Sequence, residues 1–474
     1  MTNIEIMQEL IDRFGRKMYQ GAYLWKYIET TIECGINAAH ENIGKDISFR
    51  DMMSDEIERV SEERAKNTEV FLAGLKKSDV LFGTVGVRRL YKGKLEQNAL
   101  DAYTRALDDN QYVVIEAKRD GQEDDKVYTR NRITYDMCAM IEYYGQDEVN
   151  RDSLISFCVN EYIYPVEQAF HTKIPQEILV NCIFRLSRIL KMRKAFLQFY
   201  SDVLDRVEPK VVCFSHGRAE DMCFLREAAQ KKGIPTVEIP HGEVISCVTE
   251  PNTMGYADYY LTHSDLVTIP MRKNGIKNTF TVGKPEIYDA ARSGMNYSNE
   301  IVISFISSME TGILEKSIWL AKKLQQGNYR VVYKAHSAEV FTKEEAQRIM
   351  PEAPNWRVLG GAVDVRDLYQ MSDIVVGIRS TGLVEALPYR NIKVLILEDD
   401  SEKNAILGNH SFFEELGRLG DVKMIDSEEM LYQEVLDYQR GTAYRGEVNH
   451  YWAPDAEQKF RDFIQIFLDG ERPE

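Results

Sequence analysis

The chain is short of bridging cysteines, of long apolar runs and of positive charge. Its seven cysteines (Cys34, Cys138, Cys158, Cys182, Cys213, Cys223 and Cys247) are odd in number and form no C-x-x-C pair. That pattern argues against a disulfide scaffold or a zinc framework and fits the reduced thiols of a cytoplasmic protein. No apolar stretch approaches the roughly 18 residues of a membrane span. The opening MTNIEIMQEL lacks the basic-then-apolar order of a signal peptide. With 29 glycines and 13 prolines in 474 residues, collagen-like and low-complexity classes are excluded. Lys and Arg number 59 against 75 Asp and Glu, a net charge of −16. A nucleic-acid partner is therefore not expected, because phosphates are neutralised by a net basic surface. The eight histidines show no H-E-x-x-H or H-x3-5-H spacing, so no metal site is expected.

What is there is enough apolar material, 44% of residues with 10% aromatic, for two or three packed domains. Residues 1–76 read as helical, with Ile6, Met7, Leu10, Ile11, Phe14 and Met18 recurring at intervals of mostly three or four. Short β-branched runs follow at 79–85 and 111–117, with a helical pattern over 95–107 between them. A long helical insertion over 130–206 holds no clear strand. Strands resume at 211–215, 235–240, 259–263 and 279–283. Residues 284–299 carry the Pro, Gly, Ser and Asn of a linker. A second series runs through 300–308, 329–336, 356–361, 373–378, 393–398 and 422–426, and an amphipathic helix over 455–469 ends the chain.

Continuous apolar strands without alternation are buried on both faces, and their alternation with helices implies parallel sheets. The expected fold is α/β, with two Rossmann-like doubly wound domains facing a cleft and helical additions at the N-terminus. Its parts are a helical segment 1–76, a first domain 77–290, a second domain 295–445 and a C-terminal helix 450–474. Ligands in such folds bind beyond the carboxyl ends of the strands.

Chemistry-bearing residues cluster at those ends. After the strand at 373–378, Arg379, Ser380, Thr381 and Gly382 lead into a helix. Free amides, two hydroxyls and a cation there suit an anion, and Glu385 one turn on suits a ribose diol. An ordinary N-cap with a solvated glutamate is the plain alternative. Lys334 and His336 end another strand, beside Ser337, where an imidazole can donate to a phosphate oxygen; a surface lysine and a turn-capping histidine compete with that view. Pro240-His241-Gly242-Glu243 places an imidazole of near-neutral pKa at a third strand end as a candidate base, with a histidine bonded within its turn as the alternative. Ser215-His216-Gly217 stands at a fourth. Arg88, Arg89 and Lys92 make a basic loop after the first strand, without the G-x-G-x-x-G fingerprint. Ser307 and Glu310 have capping-box spacing, while Ser308 and Thr311 could touch a phosphate.

Residues 184–200 carry Arg185, Arg188, Lys191, Arg193 and Lys194 and no acid. They suggest contact with an anionic polymer or with an anionic membrane, peripherally at the inner face of a cytoplasmic membrane. Pairing with acidic residues elsewhere in the fold is the alternative.

The order of the clusters over roughly 210–400 resembles the GT-B glycosyltransferases that build bacterial surface polysaccharides, and among them the capsule and teichoic-acid polymerase group. The family pattern of Gln-His-Gly, Lys-x-His-Pro and a Ser-Asp strand leading to a Ser/Thr turn and Glu-Ala has counterparts here. They are Pro240-His241-Gly242, Lys334-Ala335-His336-Ser337, and Ser372-Asp373 through Ser380-Thr381-Gly382 to Glu385-Ala386. Pro240 and Ser337 depart from that pattern.

The resemblance implies transfer of a sugar from a nucleotide-activated donor to a glycan or lipid-linked acceptor, without metal or other cofactor. His336, Arg379, Ser380 and Thr381 would surround the donor phosphates and Glu385 the ribose. His241 would act as base, or hold the departing phosphate. A nucleotide-sugar 2-epimerase shares the fold, but its Gly-Asp turn reads His216-Gly217-Arg218 here. A CDP-polyol phosphotransferase and a non-catalytic nucleotide-sugar-binding protein are also compatible with this architecture.

Overall fold

The computed structural model describes residues 14, 17–28, 31–32, 55–85, 88–91, 94–97, 100–118, 129–215, 217, 219–240, 256–273, 276–285, 299–307, 312–336, 348, 353–360, 365–378, 381–389, 392–396, 415–438 and 451–473. Only the backbone is described at 88–91, 94–95, 381, 392–393 and 395–396.

The described N-terminal part is not helical throughout. Strands β1 (Met18–Tyr19) and β2 (Ala22–Tyr23) form a hairpin turned by Gln20 and Gly21, both at positive φ. A two-residue strand leaves no periodicity to detect, which is why the pattern there reads as helix. β3 (Val80–Thr84) follows, and then a second hairpin of β4 (Arg88–Tyr91) and β5 (Lys94–Gln97). This hairpin replaces the expected basic loop and the start of the expected helix, which is reduced to the turn Asp101–Thr104.

β6 (Tyr112–Ala117) lies inside the sheet and is buried. β7 (Arg132–Tyr135), inside the stretch expected to be wholly helical, is an edge strand with three of four residues half-buried. β8 (Val211–Ser215), β9 (Thr236–Ile239), β10 (Tyr259–Thr262) and β11 (Thr279–Thr281) complete a seven-stranded sheet in which every pairing is parallel.

The second sheet holds β12 (Ile301–Ile306), β13 (Tyr329–Lys334), β14 (Trp356–Leu359), β15 (Ile374–Gly377), β16 (Ile392–Ile396) and β17 (Lys423–Ile425), again all parallel. In each sheet the first strand in sequence lies in the middle. The spatial orders are β7-β6-β3-β8-β9-β10-β11 and β14-β13-β12-β15-β16-β17. Both are the doubly wound Rossmann arrangement, whose direction of winding switches beside that first strand. The switch points are thus β3/β8 and β12/β15.

One face of the first sheet is covered by the long helix Gln176–Val207. Its apolar stripe Ile178, Cys182, Leu186, Ile189, Met192, Phe196, Phe199 and Val203 repeats at three to four residues and is buried. At about 1.5–3 kcal/mol for each large side chain taken out of water, this stripe is the main attachment of the helical layer. The other face is covered by the C-terminal helix Ala456–Leu468, whose Phe460, Phe463, Ile464 and Phe467 pack on Val80, Phe82, Val114 and Val211. The chain therefore returns from the second lobe to the first before it ends.

The described cysteines are free, and burial pushes the Cys158 thiol up to about 12. Among the described residues, no helix is long and apolar enough to cross a membrane.

Candidate functional site

Helices in a parallel βα unit run back against their strands, so a helix N-terminus and the loop before it lie at the carboxyl edge of the sheet. Two buried ion pairs show where the two carboxyl edges point. Glu96, in the hairpin that leaves the end of β3, accepts a hydrogen bond from Arg366 at 2.7 Å; Arg366 stands in the first turn of the helix Val365–Met371 of the second lobe. Both side chains are 3% exposed. Arg105 binds the other Glu96 oxygen at 3.1 Å. Lys284, three residues past β11, donates to Glu385 of the helix Thr381–Glu385, which follows β15, at 2.7 Å. The carboxyl edges of the two sheets therefore face one another, as the sequence leads one to expect.

The two switch points differ. In the first lobe Gln97 closes the crevice. Its amide nitrogen lies 2.8 Å from Thr84 Oγ1 at the end of β3 and 3.4 Å from Ser215 Oγ at the end of β8. Its Oε1 accepts the Leu100 N–H at 2.6 Å, and its own N–H donates to Asp101. All four side chains are buried. In the second lobe, Ser307 follows β12 and Gly377-Ile378 end β15. Gly312, at φ +96°, caps the helix Ile313–Lys323. Glu310, the partner of Ser307 in the expected capping box, lies outside the described residues.

Beside the first switch point, Gly217 is held at both polar atoms of its backbone. Its N–H donates to Glu238 Oε1 at 3.0 Å, and its carbonyl accepts from Cys223 Sγ and Arg226. Glu238 also accepts from Tyr260 at 2.7 Å. Burial first, and the Glu238 charge second, push the Tyr260 hydroxyl well above the usual tyrosine range, so it remains a donor. A Cβ on Gly217 would lie 2.4 Å from the Glu238 carboxylate.

Of the residues singled out at strand ends, Ser215, Ser307, Lys334, His336 and Glu385 are described with their side chains. His336 is exposed just past the end of β13. Lys334 is no surface charge: it is 4% exposed, and its Nζ donates to the Ala335 carbonyl at 2.9 Å. Gly382 is buried in the helix Thr381–Glu385, which Thr381 opens. Arg88 and Arg89 lie on β4 rather than in a loop. His216, His241, Gly242, Glu243, Ser308, Thr311, Ser337, Arg379 and Ser380 lie outside the described residues.

Sequence reasoning missed Glu96, Gln97, Glu238, Lys284 and Arg366. A carboxylate amid the apolar run 235–240 was a signal for Glu238, and a lysine directly after a strand-ending glycine was one for Lys284. Nothing local marks the other three.

The basic stretch 184–200 is largely answered within the chain. Arg185 pairs with Glu220 at 3.4 Å, Lys191 with Asp55 at 2.9 Å, and Arg193 with Glu227. Lys194 is exposed.

No family model matches this chain, and no curated protein does. Solved structures do. A Listeria monocytogenes protein described as a candidate UDP-N-acetylglucosamine 2-epimerase superposes with a TM-score of 0.55 at 11% identity, over 84% of this chain and 99% of its own. A second UDP-N-acetylglucosamine 2-epimerase gives 0.50 at 12% identity, over 84% and 99%. Acinetobacter baumannii MurG gives 0.47 at 15% identity, over 82% and 99%. The chain has the GT-B fold of the two epimerase structures.

Proposed function

We propose that this protein is a metal-independent glycosyltransferase that moves a sugar from a nucleotide-activated donor to a glycan or lipid-linked acceptor. The observation that carries the proposal is the meeting of two Rossmann-ordered sheets edge to edge, fixed by Arg366–Glu96 and Lys284–Glu385. Ligands of such sheets bind at the switch points. In the first lobe that place is taken by Gln97, which favours the second lobe for the nucleotide.

In this reading the donor phosphates lie beyond the ends of β12 and β15, where His336, Arg379, Ser380 and Thr381 are the residues that hold them. The ribose lies against Glu385. The acceptor hydroxyl enters from the first lobe, where His241 takes its proton. The acceptor oxygen bonds to the anomeric carbon, the bond from that carbon to the phosphate oxygen breaks, and the nucleotide leaves with the electron pair. Positive charge and donors around the phosphate stabilise the leaving group. His216 and Glu243 stand beside the acceptor, and Arg88 and Arg89 give it a basic flank. A peripheral membrane contact through 184–200 would have to rest on Arg188 and Lys194, because the other three cations have partners.

UDP-N-acetylglucosamine 2-epimerisation is the second reading, resting on the fold shared with the two epimerase structures. Against it stands the turn His216-Gly217-Arg218, which lacks the acid of the epimerase pattern.

Incubation of the whole protein with UDP-, GDP-, CMP- and CDP-linked sugars separates the two. A transferase releases free nucleotide slowly by donor hydrolysis, and His336→Ala lowers that release by about 10²-fold or more. A 2-epimer with no released nucleotide replaces this reading with the epimerase. Binding without conversion, with acceptors supplied, replaces both with a binding protein.

A further inference from the structure

We propose that Lys284 is a positioning residue for ribose recognition, a cation of the first lobe that orients the Glu385 carboxylate of the second. The inference rests on the reading of Glu385 as the ribose contact. Lys284 is 2% exposed and Glu385 13%, and the Nζ to Oε1 distance is 2.7 Å. They are 101 residues apart in sequence and come from different lobes.

Neither backbone is at liberty to follow its side chain. Gly283, just before Lys284, sits at φ +84°, and a Cβ on it would meet the Ala453 carbonyl at 2.6 Å. Its own carbonyl accepts the Tyr103 hydroxyl at 2.6 Å. On the other side, the Val384 carbonyl accepts the Trp452 indole N–H at 2.9 Å, and the Trp452 ring lies 5.3 Å from that of His263 on the first lobe. The pair is thus fixed by the fold around it, unlike an exposed pair in which two long side chains happen to meet.

A vicinal diol presents two hydroxyl donors with a fixed separation. A carboxylate receives both only when its plane faces them. Anchoring one oxygen to a buried ammonium fixes that plane before the ligand arrives, so the ligand does not bear the cost of ordering it. The anchor belongs to the other lobe. Separating the lobes therefore withdraws Lys284 from Glu385, and discrimination for ribose is a property of the closed molecule alone.

The test is calorimetric titration of the whole protein with UDP, GDP and CDP, each beside its 2′-deoxy form. Wild type is expected to prefer a ribonucleotide over its 2′-deoxy counterpart by about tenfold or more. Lys284→Met is expected to bind that ribonucleotide about tenfold more weakly while its affinity for the 2′-deoxy form stays within a factor of two, so that the preference disappears. Lys284→Gln, which keeps the length and a polar end in the buried site, gives the same loss and serves if the methionine variant does not fold. Glu385→Gln gives it too, and the double variant Lys284→Met/Glu385→Gln is no worse than either single one. A nucleotide bound with wild-type ribose preference by a folded Lys284 variant overturns the inference and leaves the nucleotide reading standing. A wild-type protein that binds none of the three overturns both.

Discussion

The two switch points are built from the same strand order, yet they use their polar groups differently. In the first lobe Thr84, Ser215 and Gln97 answer one another, and Gly217 is answered by Glu238, Arg226 and Cys223. In the second lobe the buried Arg366 and the half-buried Glu385 are answered from across the cleft, by Glu96 and Lys284. A crevice that satisfies itself is scaffold. A crevice edge whose charges look outward can exchange one partner for another, since a buried charge must have some partner but not a particular one. In the function proposed above, this difference is the reason for putting the nucleotide in the second lobe and the acceptor in the first.

The cross-cleft pairing is where the contrast breaks most visibly. Arg366→Met leaves Glu96 buried with Arg105 and is expected to cost about 3–5 kcal/mol, the usual penalty for removing one member of a buried ion pair. Urea denaturation of the variant checks it, and the double variant Arg366→Met/Glu96→Gln should recover most of the loss. A loss under about 1 kcal/mol would mean that the lobes do not depend on this pair.

Next comes the self-contained side. Gly217→Ala drives a methyl into the Glu238 carboxylate, which cannot retreat without giving up Gly217 N–H and Tyr260. The expected cost is about 2–3 kcal/mol, from overpacking and the lost hydrogen bonds. Thermal melting of Gly217→Ala beside Gly217→Ala/Glu238→Ala sharpens the point, because in the double variant the clash is gone.

The smallest effect is read from pH. Asp55, in the helical layer of the first lobe, is 2% exposed and accepts from Ser187, Lys191 and Arg151. Burial alone would raise its carboxyl, but these three bonds outweigh it and hold it down to about 2. A carboxylate depressed on folding adds stability that is present above its unfolded value near 4 and is lost as pH falls toward about 2. The contribution is on the order of 2 kcal/mol. Asp55→Asn should flatten the stability profile between pH 4 and 2 and leave its shape above pH 5 unchanged.

Continuous runs such as 211–215 and 373–378 were legible as strands because burial on both faces leaves no alternation for a helix pattern to imitate. β7 was not, since an edge strand with three of its four residues half-buried lacks the run. The β4/β5 hairpin was not, since 95–107 carries apolar residues at spacings compatible with a helix, and only pairing with the neighbouring strand decides otherwise. His336 and Glu385 were singled out by position alone, one just beyond a strand end and the other in the helix that follows a strand. Lys284 obeys the same rule and was passed over as linker. Glu96 and Arg366 obey no local rule, because what gives them meaning is a partner 270 residues away.

The order of strands and helices, and the strand ends at which polar residues collect, follow from the chain itself, because burial periodicity is a local property that each segment carries wherever it folds. Which crevice is filled and which charge answers which across the cleft belong to the assembled molecule. They arise where segments distant in the chain meet out of water, and the demand that a buried charge find an opposite one is felt only there.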